Sequence, residues 1–215
     1  MNSHPKRTFY GKYVFIVPKE VYEPAEDTFL LARNLSIKSD ETVLDMGTGC
    51  GILAVLAAED ASNVVAIDIN PHATMSAKKN AELNGVSEKI TVATGDLFSP
   101  ITCDRKFNMI IFNAPYLPVE SNEGKSWIEK AWSGGKDGRT TIDRFIAQAP
   151  QYLEEIGRIL LVQSTLSNVE RTLENFSKKH LVPRIIDEEK SAFEKIVLVE
   201  ARYATKGFLG KSSHE

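Results

Sequence analysis

The chain has 215 residues, 42% of them hydrophobic and 26% charged, with a net charge of −3. That length and apolar content predict one substantial core, and the acidic balance offers no global positive field to hold a phosphate backbone, which disfavours nucleic acid as a partner. Two cysteines, Cys50 and Cys103, are too few for a disulfide framework or a four-thiolate zinc site and suit a reducing compartment. No apolar run has membrane-spanning length and the opening residues carry no signal-peptide pattern, so a soluble, unprocessed, cytoplasmic protein is expected.

Residues 1–20 read as an N-terminal extension in which Met1–Arg7 is too polar to fold and Tyr10–Val17 alternates like an edge hairpin or a single strand. A folded domain is expected over residues 21–203, with a flexible tail over 204–215. It opens with a helix at Pro24–Leu35, because proline suits a first turn, Glu26 and Asp27 favour a helix N-terminus, and Phe29, Leu30 and Leu31 supply an apolar stripe. Apolar strands then follow at Thr42–Met46, Val64–Ile69, Ile90–Ala93, Phe107–Phe112 and Arg158–Gln163. Helical stretches alternate with them at Ile52–Glu59, His72–Leu83, Thr140–Leu153 and Asn168–Lys179. This alternation predicts an α/β fold, a doubly wound Rossmann-like sheet that is mostly parallel. Two further strands, near Arg184–Asp187 and Glu194–Tyr203, have only a polar turn between them and read as an antiparallel C-terminal edge hairpin, the ending that separates methyltransferases from dehydrogenases.

The run Val43-Leu44-Asp45-Met46-Gly47-Thr48-Gly49-Cys50-Gly51 joins a buried strand to a helix through a glycine-rich turn, with Asp68 at the end of the next strand. Gly47 and Gly49 let a cofactor approach the backbone, and Asp68 lies near the spacing of about twenty residues expected of a carboxylate that holds ribose hydroxyls. A nicotinamide enzyme would share those features. Asp45 decides against it, since a carboxylate two residues before the first glycine would repel a pyrophosphate and attract the ammonium of a methionine moiety. Asp96 can accept from an adenine amine while Leu97 and Phe98 give apolar cover, so the expected cofactor is S-adenosylmethionine. Cys50 reads as a small residue in a tight turn, and the histidines stand singly, so no metal site is expected.

Phe112-Asn113-Ala114-Pro115-Tyr116 closes the fourth strand of this series, at the edge of the sheet where ligands of such folds bind. A planar amide or amine nitrogen attacks a methyl sulfonium slowly unless acceptors pull on its N–H groups and localise the lone pair. The Asn113 side-chain carbonyl and the Ala114 main-chain carbonyl are the candidate acceptors, with Pro115 stiffening the turn and Tyr116 stacking on the planar group. No basic side chain is needed, because the nitrogen becomes acidic only after alkylation.

With these residues in place the chain resembles the release-factor glutamine methyltransferases, and among them the compact eukaryotic and archaeal branch without the bacterial N-terminal helical domain. Three blocks between about Val21 and Tyr203 carry the resemblance: Tyr22 through Leu31, Asp68-Ile69-Asn70-Pro71, and Ile128 through Arg139. It implies cofactor contacts at Thr28, Asp45, Gly47, Asp68, Asp96, Leu97 and Asn113, with Asn113 through Tyr116 gripping a glutamine of a class I peptide-chain release factor. It also implies a small zinc-binding activator protein. The family writes Asn-Pro-Pro-Tyr, so Ala114 is a departure, though alanine keeps the backbone carbonyl. In the tryptophan-bearing loop Trp127–Arg139, Trp132 and Arg139 are expected to touch the protein substrate. Two other readings share parts of this pattern: methylation of adenine N6 or guanine N2 in nucleic acid, and a non-catalytic cofactor-binding scaffold.

Overall fold

Runs of Val, Ile and Leu too short for a helix bury best as strands, and in the computed structural model they do so between two helical layers. The structure describes residues 5–119, 126–190 and 194–204. At the N-terminus β1 (Lys6–Tyr10) and β2 (Tyr13–Val17) form a two-stranded antiparallel ribbon, with Lys6 opposite Val17. Lys6 and Arg7, at the end of the Met1–Arg7 segment expected to stay unfolded, are thus paired in a strand that supplies their backbone groups with partners; residues 1–4 lie outside the described residues.

The main sheet comprises β3 (Thr42–Met46), β4 (Asn63–Asp68), β5 (Ile90–Thr94), β6 (Phe107–Asn113), β7 (Leu153–Ser164), β8 (Leu181–Lys190) and β9 (Lys195–Tyr203). Their order is β5-β4-β3-β6-β7-β9-β8; β3 to β7 run parallel, and β9 lies antiparallel to both β7 and β8. Helix α1 (Glu26–Arg33) packs beside α2 (Ile52–Asp60), and α2 beside α3 (Pro71–Leu83). The short α4 (Trp127–Trp132) precedes α5 (Thr140–Gln148), which packs on α6 (Val169–Lys178). Right-handed crossovers from β3 toward β5 and from β6 toward β9 put these two helix groups on opposite faces.

Several elements differ from the sequence expectation. Helix α5 stops at Gln148 and a 3-10 turn covers Ala149–Tyr152, because Pro150 has no N–H to continue an α-helix. Strand β7 begins earlier, at Leu153. The loop after β6 contains α4, nucleated by a capping box in which Ser126 and Glu129 satisfy each other's backbone N–H groups. The C-terminal tail expected to be flexible lies outside the described residues.

The ribbon is fastened to α3 by side chains that imitate a neighbouring strand. Asn84 Oδ1 accepts from Val14 N at 3.1 Å and Asn84 Nδ2 donates to Val14 O at 2.9 Å; Asn80 does the same for Ile16, at 2.9 and 3.0 Å. Below the sheet, at the end remote from the strand termini that open to ligands, Arg158 Nη1 and Nη2 donate to Glu41 Oε1 and Oε2 at 2.7 and 2.8 Å, and both residues are buried. Removing one partner strands the other charge, which typically costs about 3 kcal/mol or more. Glu41→Ala is accordingly expected to lower the urea-unfolding free energy by that order, and an unchanged midpoint would show that water reaches the pair.

Candidate active site

From β3 the chain winds outward in opposite directions, to β4 and β5 on one side and to β6 and β7 on the other. The loops leaving the carboxyl ends of β3 and β6 therefore diverge and open a crevice. A cavity of about 400 Å³ fills it, a size typical of small-ligand sites. Thr28, Gly47, Gly49, Asp68, Asp96, Leu97 and Asn113 all stand on its wall.

Gly47 and Gly49 adopt left-handed backbone conformations, with φ of 66° and 57°, which side chains with a Cβ rarely accept. Asp68 is held by the same turn: Gly49 N donates to its Oδ2 at 2.9 Å and Asn70 N to its Oδ1 at 2.8 Å. Each oxygen keeps lone-pair capacity for a further donor such as a hydroxyl. Asp96 also faces the cavity, and its Oδ2 accepts from Arg144 Nη2 at 2.6 Å. Leu97 holds an unusual φ of 49° on the wall. Phe98 does not reach the cavity; it is buried, stacked on Tyr152 at 4.5 Å and on Phe145 at 5.7 Å between ring centroids. The apolar cover expected from Leu97 and Phe98 thus falls to Leu97.

Asp45 requires a correction. It is fully buried behind the glycine turn, between Ala66 and Ile111 in the sheet register, and is not on the cavity wall. Its Oδ2 accepts from Thr48 Oγ1 at 2.6 Å, and its Oδ1 has no partner among the described residues. Any attraction on a cation is therefore exerted through the turn and not by contact. Burial pushes its pKa up to about 7, with the Thr48 hydrogen bond opposing and the charge of Asp68 adding. Burial likewise pushes the Cys50 thiol up to about 12, which leaves it without thiolate character at neutral pH.

The turn Asn113–Tyr116 lines the opposite wall. Asn113 Nδ2 donates to Thr28 Oγ1 at 3.2 Å, and Thr28 Oγ1 donates in turn to Asp27 Oδ1 at 3.1 Å. Since the threonine proton is committed to the carboxylate, its oxygen must accept, and this fixes the orientation of the Asn113 amide. Asn113 Oδ1 is then left buried with no partner among the described residues. Asp27 was read from the sequence only as a helix N-terminal residue, yet it is the hub of this wall. Buried itself, it also accepts at Oδ2 from Tyr22 OH at 3.0 Å and from Tyr116 OH at 3.3 Å. Burial, and after it the charge of Asp27, push both phenols well above their ordinary range and keep them as donors.

On the mouth side α4 contributes Trp127, Lys130 and Trp132 to the wall, with the Lys130 ammonium 4.6 Å from the Trp127 ring centroid. Trp132 is therefore where a substrate contact was expected. Arg139 is not: it is 1% exposed, faces away from the cavity, and donates to Ser167 O at 2.8 Å, Asn168 O at 3.1 Å and Asp143 Oδ1 at 2.6 Å. A guanidinium engaged on these groups has no reach to a ligand. Among the described residues no group of three or more His, Cys, Asp or Glu side chains is placed to hold a metal ion.

A family model described as methyltransferase small domain matches residues 24–185. The chain belongs to that methyltransferase family. A Methanocaldococcus jannaschii protein provisionally named protein N5-glutamine methyltransferase is 39% identical to this methyltransferase over 184 residues, covering 85% of the chain and 91% of the relative. A human protein named Methyltransferase HEMK2 is 34% identical over 173 residues, covering 75% of this chain and 80% of its own. Among solved structures, the E. cuniculi Mtq2–Trm112 complex, described as responsible for methylation of the translation termination factor eRF1, superposes with a TM-score of 0.66 at 23% identity. It covers 86% of this chain and 99% of the other, a likeness of fold.

In this methyltransferase the folded-state pKa of Asp45 lies above its ordinary 3.8, so folding takes up a proton between about pH 4 and 7 and Asp45 lowers stability as pH rises through that window. Asp45→Asn is expected to gain on the wild type progressively over that interval in urea midpoints. A stability difference that stays flat from pH 4 to 8 would mean that the carboxyl titrates normally.

Proposed function

We propose that this methyltransferase moves the methyl group of S-adenosylmethionine to the side-chain amide nitrogen of a glutamine, in the Gly-Gly-Gln motif of a class I peptide-chain release factor. The observation that carries the reading is Asn113 Oδ1, a buried acceptor on a residue of the cavity wall, fixed by its own amide's bond to Thr28 and left without a partner among the described residues. A buried acceptor without a donor costs free energy unless something binds it, and the N–H of a planar amide is the donor that fits. The Ala114 main-chain carbonyl offers the second acceptor, Tyr116 a ring whose hydroxyl is pinned by Asp27, and α4 a docking wall for a protein loop.

The cavity residues suit the cofactor. In this reading Asp68 takes the ribose hydroxyls, Asp96 and Leu97 the adenine, and Thr28 with the Gly47–Gly49 turn the amino-acid end, with the Asp45 charge behind that turn. When bound, the cofactor supplies an electrophilic methyl on a sulfonium sulfur. The chain's part is to orient the amide, draw on its N–H groups and exclude water. The cations on the wall are already engaged, Lys130 over Trp127 and Arg144 on Asp96, which supports a protein substrate over a nucleic-acid backbone. We further propose a small zinc-binding activator protein as partner and, from the nature of the substrate, a cytoplasmic site of action.

Asp68→Ala is expected to weaken S-adenosylmethionine binding by about tenfold or more in calorimetry, the worth of charge-assisted hydrogen bonds to hydroxyls; equal affinity would remove the ribose assignment. Asn113→Ala is expected to cut single-turnover methyl transfer by about a hundredfold or more while cofactor affinity falls only modestly. Trp132→Ala should raise KM for the release factor and leave KM for the cofactor in place. The substrate itself is decided by incubating the protein, with activator, with labelled cofactor and a panel of release factor, tRNA and rRNA. Mass spectrometry should find the label on the glutamine of the release factor's motif, and label on RNA would refute the substrate assignment.

A further inference from the structure

The turn that follows α4 is sewn to the catalytic turn through main-chain groups. Leu117 N donates to Trp132 O, Gly134 N to Leu117 O and Val119 N to Gly135 O, each at 2.9 Å, and Leu117 and Ser133 form a parallel bridge. The same turn then closes on the back of Tyr116. Gly138, at a φ of 72°, lies so close that a Cβ there would collide with the Tyr116 carbonyl oxygen and stand 2.9 Å from Ser167 Cβ. The next residue is the buried Arg139.

Burying a guanidinium carries a desolvation penalty of several kcal/mol before its partners are counted. Such a group is retained only where partners within the fold offset that penalty, and those of Arg139 come from the segments packed around it. Its Nη1 donates to Ser167 O, Asn168 O and Thr172 Oγ1, and its Nη2 to Asp143 Oδ1. Thr172 Oγ1 donates onward to Gln163 Oε1, buried near the end of β7, and Asp143 also receives Arg171 Nη2 at 2.7 Å and Asn175 Nδ2 at 3.1 Å. The guanidinium therefore ties the turn to α5 and α6 and, through Thr172 and Gln163, to β7.

We propose that Gly138 and Arg139 are positioning residues for methyl transfer: Arg139 pins the Trp132–Arg139 turn to the body of the fold, and Gly138 lets that turn seat directly against Tyr116. Together they hold the acceptor carbonyls and the α4 wall in one fixed relation. The proposal rests on the reading of Asn113–Tyr116 as the catalytic turn. It gives Arg139 a different kinetic signature from that of a substrate contact, with kcat falling and KM holding.

The test compares Gly138→Ala, Arg139→Ala and Arg139→Lys with wild type, and takes Glu41→Ala as a control that loses stability at the far end of the sheet. Measured together are kcat and KM for the release factor, calorimetric cofactor affinity, and hydrogen exchange at the amides of Leu117, Val119 and Gly134. Displacing a reacting group by 1 Å typically costs about a hundredfold. A kcat loss of that order is expected for Gly138→Ala and Arg139→Ala, a smaller one for Arg139→Lys, and none for Glu41→Ala, with cofactor affinity and KM near wild type in all. Exchange at the three amides should speed up in the Gly138 and Arg139 variants alone. Should Gly138→Ala and Arg139→Ala not fold, Thr172→Val removes one partner of Arg139 without added bulk and is expected to show the same pattern in weaker form. Folded variants with wild-type kcat, or with unchanged exchange, or a control that loses kcat equally, would overturn the proposal. If the wild type methylates no release factor, the substrate reading fails, while the exchange comparison still decides whether these residues hold the turn.

Discussion

One hydrogen bond sets the geometry of the site, that from Asn113 Nδ2 to Thr28 Oγ1. It joins the last residue of β6 to the first turn of α1, two elements brought together only when the sheet and its helical layer are both complete. Because the threonine hydroxyl is itself committed to Asp27, the amide has one permitted orientation, and its carbonyl is left buried without a donor among the described residues. Preorganisation of this kind is most effective when the polar group is fixed before the reactant arrives. The two tyrosines of the wall depend on the same carboxylate, since Tyr22 and Tyr116 both donate to Asp27.

The electrostatics follow from the chemistry required. A nitrogen that becomes acidic only after it has been alkylated needs acceptors and a dry cavity more than it needs a base, and the wall offers protonated phenols, amides and carbonyls. Its carboxylates are Asp68 and Asp96, to which we assign the ligand, and Asp27, which orients side chains. Asp45 works at one remove: buried beneath the glycine turn, it places a titratable charge behind the part of the cavity suited to a cation, without entering it.

How much of this was legible in the sequence varied with the range of the interaction. The parallel sheet, the glycine turn and Asp68 were readable because each depends on a local pattern, apolar runs of strand length or a fixed spacing between a turn and an acid. Asn113 and Tyr116 were singled out because the chemistry limits which groups can serve, and both line the cavity. Asp27 was quoted within a block and given no role there, since its partners Tyr22 and Tyr116 come from different segments and only the fold brings them to one carboxylate. Arg139 was misread because a charged residue in a glycine-rich stretch is usually solvated, whereas here contacts from α5 and α6 bury it. Two signals were present and went unused: Ser126 with Glu129 spells a capping box for α4, and Pro150 marks the end of α5.

The ribbon's attachment to α3 bears on the order of folding. The outer edge of β2 is satisfied by amides belonging to Asn80 and Asn84, separated from it along the chain by 64 and 70 residues. A strand so completed cannot find its partner by local search, and closing so long a loop is slow compared with forming a helix. Without α3 the open edge of β2 would be a place where another chain could pair. Once docked, the two asparagines seal that edge with groups that no incoming strand can displace without breaking four hydrogen bonds, so the finished ribbon is protected from adding strands of a neighbour.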